Sequence, residues 1–300
     1  MNSILLLGLV FAQTKLSFMA LGDWGADYHI NELKAVGKQM DRYGTQRNAQ
    51  FVIALGDNFY NSGVTSVTDP KWQNVWLDSF TGLTGQLPWY CILGNHDWYG
   101  NEEAEIQYSQ IHPRWTLPDY FYTKTVKLQG FTVGFVFIDT DLLFYGYNGE
   151  LAQDFKTKGW TIENQTHQKQ LDWISSQLQQ MQSYEYIIVL GHHHLVTCDG
   201  TGVYMGSLLS LFDQYKVSSY MYGHKHTLKS AKYQNTLFIQ SGAGGQVEGL
   251  CTNDIQGSSE QWGASSYGFV AVDVTRSSLN VDFVDLNGNI LHSTLIAPRK

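Results

Sequence analysis

The 300-residue chain sets 19 Lys and Arg against 27 Asp and Glu, a formal net charge of −8 at pH 7. Phosphate backbones are held by clustered basic side chains, and no basic run exists here, which argues against a nucleic-acid partner. Hydrophobic residues make up 43% and charged residues 15%, enough apolar surface for a large core and too much for a disordered chain.

In chain order, the apolar stretch 4–12 comes first, with small side chains at Val10 and Ala12 where a signal peptidase reads. It predicts a secretory signal over residues 1–12; an uncleaved first strand is the competing reading, since no Lys or Arg precedes the run. No other apolar run approaches the roughly 18 to 20 residues a bilayer span requires. Short runs rich in β-branched and aromatic residues then recur, and five of them stop at a glycine-led polar tip. Residues 16–21 meet Gly22-Asp23-Trp24-Gly25, and 51–55 meet Gly56-Asp57-Asn58-Phe59-Tyr60. Residues 89–93 meet Gly94-Asn95-His96-Asp97, 186–190 meet Gly191-His192, and 219–222 meet Gly223-His224-Lys225-His226. Such runs read as strands buried on both faces. Between them, Leu33, Val36, Gly37 and Met40 within 30–43, and Leu171, Ile174, Leu178 and Met181 within 166–181, recur at helical spacing and predict amphipathic helices. After Gly242 come Gly, Ser and Thr rich loops, then strands over 268–274 and 279–286 closed by a turn at 286–289.

This is a βαβ pattern and predicts an α/β fold with two sheets packed between helices. Loops at the carboxyl ends of such strands gather around one crevice, so the five tips are expected to converge there. Cys91 lies in the apolar run 89–93 and reads as a buried thiol. Cys198 and Cys251 are then free to pair in an oxidising compartment, although three cysteines allow three single pairings. Asn164-Gln165-Thr166 is the one glycosylation sequon and agrees with secretion.

Six of the ten histidines, His96, His192, His193, His194, His224 and His226, fall in the tips. His29, His112, His167 and His292 read as surface or satisfied core residues. Asp, Tyr, Asn and His together mix hard oxygens with imidazoles and contain no thiolate, which argues against a structural zinc or iron–sulfur site. If Asp23, Asp57 and Tyr60 bind as anions and Asn95, His192, His224 and His226 as neutral donors, a ferric and a divalent ion leave the site at about +2, attractive to a phosphate dianion.

The five blocks, in this order and spacing, resemble the metallophosphoesterases, and within them the purple acid phosphatases of the small, tartrate-resistant mammalian type. The resemblance spans about 16–245, and Tyr60 is its discriminating residue. It implies the four-layer sandwich of that superfamily, two mixed β-sheets between helices with the site at the carboxyl ends of strands, as one catalytic domain over 13–300. It further implies Asp23, Tyr60 and His226 on Fe(III), Asn95, His192 and His224 on a divalent ion (Fe, Zn or Mn), and Asp57 bridging. The activity implied is acid hydrolysis of phosphate monoesters, small or on proteins, by a metal-activated hydroxide, in a monomer of the secretory pathway that is extracellular or lysosome-like. His96 matches a histidine near the substrate phosphate, able to protonate the leaving alkoxide. Asp97 either orients a ligand or caps the following turn.

One departure concerns a further substrate-side histidine of the family, nine residues after the position of His192, where this chain has Thr201. His193 and His194 are the candidates to replace it, against the reading that both are loop residues facing solvent. The aromatic residues at 120–122 and Phe144, Tyr145, Tyr147 and Trp160 read as core anchors or as the rim of a substrate cleft. Two rival functions share the fold: a phosphodiesterase or pyrophosphatase with two divalent ions, and a non-catalytic scaffold.

Overall fold

A computed structural model describes residues 13–195, 205–250 and 258–299. The expected signal over 1–12, Cys198, Thr201 and Cys251 lie outside the described residues, whereas Cys91 is buried as a free thiol. Strands run β1 Lys15–Leu21, β2 Val52–Leu55, β3 Trp89–Ile92, β4 Trp115–Thr116, β5 Tyr122–Leu128, β6 Phe131–Phe137 and β7 Tyr186–Leu190. They continue as β8 Ser219–Tyr222, β9 Leu228–Tyr233, β10 Thr236–Ser241, β11 Ser259–Ala264, β12 Gly268–Thr275, β13 Leu279–Asp285 and β14 Ile290–Ile296. The α-helices are α1 Ile30–Arg47, α2 Asn95–Trp98, α3 Glu102–Tyr108, α4 Asp141–Tyr145, α5 Ala152–Thr157, α6 Thr166–Gln180 and α7 Gly206–Tyr215, beside a 3-10 turn at Asp27–His29 and a π-helical turn at Trp72–Leu77.

The strands form two seven-stranded mixed sheets, in the orders β14-β13-β12-β1-β2-β3-β4 and β11-β9-β10-β8-β7-β6-β5. In the first, β1 to β4 are parallel and β12 to β14 extend it antiparallel through β1, Phe18 lying opposite Val272. In the second, β6, β7, β8 and β10 are parallel, with β5 and β9 antiparallel at the flanks.

The alternation of strand side chains sorts each sequence between two cores. Leu16, Phe18 and Ala20 of β1, and Ile53 and Leu55 of β2, join Phe135, Phe137, Ile188 and Leu190 in the core between the sheets. Met19, Leu21, Val52 and Ala54 point the other way, into a core that Leu33, Val36 and Met40 of α1 cover. On the far side, Ile187 and Val189 of β7 meet Ile174 and Leu178 of α6 and Leu208 and Phe212 of α7. Four layers result, helix, sheet, sheet, helix. Both inner layers need apolar residues on both faces, which is why their strands read as unbroken hydrophobic runs. Helix α1 runs to Arg47 rather than to residue 43, and Asn48 in the left-handed region (φ 57°) ends it.

Candidate metal centre

β1, β2 and β3 of one sheet and β7 and β8 of the other end at the same edge of the sandwich, and their glycine-led tips meet there. Three tip residues, Asp23 (φ 55°), Asp57 (φ 49°) and His224 (φ 67°), take the left-handed backbone. Each such residue costs about 1–3 kcal/mol, and that strain turns the chain sharply at the end of its strand. Cross-ties hold the turns: Asp23 N–H donates to Gly56 O (3.0 Å), Gly223 N–H to His192 O (3.0 Å), and His224 N–H to Asp23 Oδ2 (2.8 Å). Gly94 must lack a side chain, because a Cβ there would run into Asp57 Oδ1 and, at 2.7 Å, His192 Nε2.

The seven expected donors converge. The Tyr60 hydroxyl lies 2.8 Å from Asp57 Oδ2, 3.1 Å from Asp23 Oδ1 and 3.2 Å from His226 Nε2, and His226 Nε2 lies 3.5 Å from Asp23 Oδ1. On the other side of Asp57, Oδ1 is 3.4 Å from His192 Nε2, while Asn95 Oδ1 is 3.1 Å from His224 Nδ1. Asp57 therefore presents one oxygen to each set. Donors bound to one ion at about 2.1 Å stand about 3.0 Å apart along an octahedral edge, so these spacings suit two cations. Asp23, Asp57 and His192, and separately His192, His193 and His224, bring donor atoms within 4.8 Å of one another.

The protonation chemistry also fits a cation. Burial, then the charges of Asp23 and Asp57, push the Tyr60 phenol well above its ordinary pKa. Burial likewise raises Asp23. Burial opposes ionisation of Asp57 too, but His192, then His96 and His224, outweigh it and hold that carboxylate well below the usual range. His192 is the counterpart: its burial disfavours charge, yet Asp57 beside it raises its pKa to about 10. One phenolic proton cannot serve both carboxylate oxygens that face it, and the fully buried His192 Nε2 makes no hydrogen bond beyond its 3.4 Å ion pair with Asp57 Oδ1. A metal ion would take over the charge that these protons balance. The His192 ring is already oriented for it, with Nδ1–H donating to Leu55 O (2.8 Å) and Nε2 turned to the centre.

The other residues singled out in the sequence fall into place around this centre. The half-buried His96 ring lies over Tyr60 (centroids 4.3 Å), and its Nδ1 meets Asn61 O at 2.5 Å. Asp97 reaches no donor side chain of the centre. It accepts from Gly94 N–H (2.9 Å), Asn58 N–H (2.9 Å) and Phe59 N–H (3.2 Å), capping α2 and stapling two tips together. The solvent-facing reading of His193 and His194 does not hold, since both are buried. Phe144 of α4 stacks on His193 (4.3 Å) and packs edge-on against His194, closing over what the sequence leaves as an open loop. Burial, then nearby positive charge, depresses both rings, His194 to about 4, so neither is a ready acid.

Tyr120, Tyr122 and Trp160 are packing residues, stacked on Trp98, Phe137 and Phe155 respectively, whereas Phe144 reaches the centre at His224 (5.4 Å). Supporting residues outside the glycine motifs escaped the sequence reading. Thr140 Oγ1 accepts the backbone N–H groups of His192 (3.1 Å) and His193 (3.0 Å), and Glu248 Oε1 accepts His226 N–H (3.2 Å). Asn58 sits inside a quoted motif, and only its buried contacts reveal its part.

Two donor sets sharing one aspartate, at the edge where two mixed sheets meet between helical layers, define a metallophosphoesterase. The chain belongs to the calcineurin-like phosphoesterase family, whose model matches residues 16–228. It is 30% identical to tartrate-resistant acid phosphatase type 5 of Oryctolagus cuniculus over 99% of this chain and 96% of that protein. Among solved structures, GAP50, described as the anchor in the inner membrane complex of Plasmodium, superposes with a TM-score of 0.81 at 24% identity, covering 96% of this chain and 90% of that one. Purple acid phosphatase PPD1 from yellow lupin (Lupinus luteus) seeds superposes with a TM-score of 0.64 at 17% identity over 95% of this chain and 54% of its own. At those identities the two structures speak for the fold. Among the described residues no helix is long and apolar enough to cross a membrane.

Proposed function

We propose that the chain is an acid phosphatase of the purple type, hydrolysing phosphate monoesters, small or on proteins. Asp23, Tyr60 and His226 would hold Fe(III), Asn95, His192 and His224 a divalent ion (Fe, Zn or Mn), and Asp57 both. The observation that carries this reading is the Tyr60 hydroxyl, 2.8–3.2 Å from Asp57, Asp23 and His226, opposite a set rich in imidazole. Anionic oxygens gathered on one side suit the harder, more highly charged ion. When bound, the two ions supply positive charge for the phosphate and acidify the attacking water below neutral pH.

The protein's own groups do the rest. Asp57 ties the two donor sets into one unit through its separate oxygens. Tyr60, buried between carboxylates, yields its proton only against a strong cation. His96 Nδ1–H donates to Asn61 O, which fixes the ring, and in the imidazolium form the second proton, on Nε2, is the one passed to the leaving alkoxide. With His193 and His194 held neutral, His96 is the acid of choice among the described residues.

A secretory signal over 1–12 ahead of one catalytic domain over 13–300, and a glycan on the exposed Asn164, would place the enzyme outside the cell or in a lysosome-like compartment, as a monomer. N-terminal sequencing, glycosidase treatment and light scattering of the secreted protein check these points.

The deciding experiment is optical. Oxidised, iron-loaded protein is expected to show a tyrosinate-to-iron charge-transfer band and to release phosphate from an aryl phosphate, and Tyr60→Phe to abolish the band. A colourless metal-replete protein that cleaves a phosphodiester or pyrophosphate in preference to the aryl phosphate would favour the phosphodiesterase or pyrophosphatase alternative. A chain that takes up no metal and turns over no ester would be a scaffold.

A further inference from the structure

Asn95 offers the divalent set an amide oxygen, and an amide has two faces of opposite character. Oδ1 has lone pairs for a metal, whereas the NH2 group has none. Rotation by 180° would exchange them with almost no change of shape, so something must decide which face meets the centre. His224 Nδ1, 3.1 Å from Oδ1, cannot decide it once a metal holds both atoms.

The opposite edge of the amide is engaged. Asn95 Nδ2 donates to the Tyr99 hydroxyl (3.3 Å), and that hydroxyl donates to Glu150 Oε1 (2.5 Å). Tyr99 is the residue at which α2 ends, four positions beyond Asn95, and its backbone N–H donates to Asn95 O (3.0 Å). The two side chains are therefore held on one face of a single turn. Glu150 reaches in from the exposed segment between α4 and α5.

The order of donors follows from a count of protons. A phenol has one hydroxyl proton, and a carboxylate only accepts. Glu150 therefore takes the Tyr99 proton, and the Tyr99 oxygen can then only accept. It meets the NH2 edge of Asn95, which turns Oδ1 to the centre.

We propose that Glu150 and Tyr99 are positioning residues that set the orientation of the Asn95 amide and so the affinity of the divalent half of the centre. The inference rests on the metal-centre reading above and extends it to a surface carboxylate that no glycine-led motif contains. Both act through Asn95, Tyr99 by its hydroxyl and Glu150 by way of Tyr99. Their effect is confined to the Asn95–His192–His224 set, because the Tyr60 set contains no amide.

The test measures metal rather than turnover. Wild type and variants are loaded with iron and zinc(II), dialysed against graded chelator, and assayed for both metals per chain. Tyr99→Phe is expected to release zinc at about tenfold lower chelator strength with iron retained, in line with the loss of an outer hydrogen-bond partner. Glu150→Gln keeps an acceptor oxygen for the Tyr99 proton and is expected to bind zinc like the wild type. Glu150→Lys, an exposed change that leaves the fold alone, presents a donor and drives the Tyr99 proton towards Asn95, so it should lose zinc at least as readily as Tyr99→Phe. Zinc retention by Tyr99→Phe and Glu150→Lys at the wild-type level would overturn the proposal, as would equal loss from Glu150→Gln. A wild-type chain that binds neither metal would instead overturn the metal-centre reading itself.

Discussion

Replacing Asn58 by Ala tests whether the buried amide behind the tips holds the centre together. Asn58 is fully buried, and its side chain joins four elements: Trp24 Nε1–H donates to Oδ1 (3.2 Å), while Nδ2 faces Ile92 O (2.9 Å), Glu105 Oε2 (3.0 Å) and Asp97 Oδ2 (3.3 Å). Truncation leaves the indole N–H, the Ile92 carbonyl and the Glu105 carboxyl without this partner. At the low end of about 1 kcal/mol for each buried polar group left unsatisfied, the loss is about 3 kcal/mol. An unfolding entropy of about 2.1 cal/mol/K per residue gives a chain of this length roughly 0.6 kcal/mol/K, so the thermal midpoint should fall by about 5 °C. Asn58 lies between Asp57 and Tyr60, and its own N–H is held by Asp97. Metal affinity should therefore drop with stability, by about tenfold. Calorimetry of the metal-free chain and chelator competition on the loaded one measure the two effects. A midpoint within about 1 °C of wild type together with unchanged metal content would refute the reasoning.

Gly94→Ala places a methyl group against Asp57 Oδ1 and His192 Nε2, so metal per chain should fall sharply while circular dichroism stays native. His96→Ala should lower turnover by about 10²–10⁴-fold with both metals retained; an unchanged rate would remove His96 from the mechanism. Stripping the metals from wild type should lower the midpoint of urea unfolding and leave its slope unchanged, because buried Asp23, Asp57 and Tyr60 lose their counter-charge but the surface exposed on unfolding does not change.

The donors of the centre are legible in the primary structure because each lies within a few residues of a glycine that ends a strand, and local chemistry suffices to mark such a place. Helices α1 and α6 are legible for a similar reason: Leu33, Val36 and Met40, or Ile174 and Leu178, repeat at the period of one buried face. The hairpin of β5 and β6 is not. Tyr122–Leu128 alternates half-buried and exposed residues, several of them Thr and Lys, at the edge of its sheet, so it lacks the unbroken apolar run that marks the inner strands and takes its place by pairing with Phe131–Phe137. Nor do His193 and His194 carry any local sign of burial, since the residues that cover them belong to α4, some fifty positions earlier.

What the amino-acid order alone determines here is the inventory: which side chains sit at strand ends, which faces are apolar, and a mixed set of oxygen and imidazole donors able to hold metal ions. The tertiary structure decides the distances. Pairing β1 with β12, more than two hundred residues away, and setting two sheets face to face brings the tips of both to one edge, where Asp57 can present one oxygen to Tyr60 and the other to His192. The same packing recruits Asn58, Tyr99, Thr140 and Glu150. Their contribution is a hydrogen bond to a partner already in place, and that depends on proximity in space, which no local pattern of residues encodes.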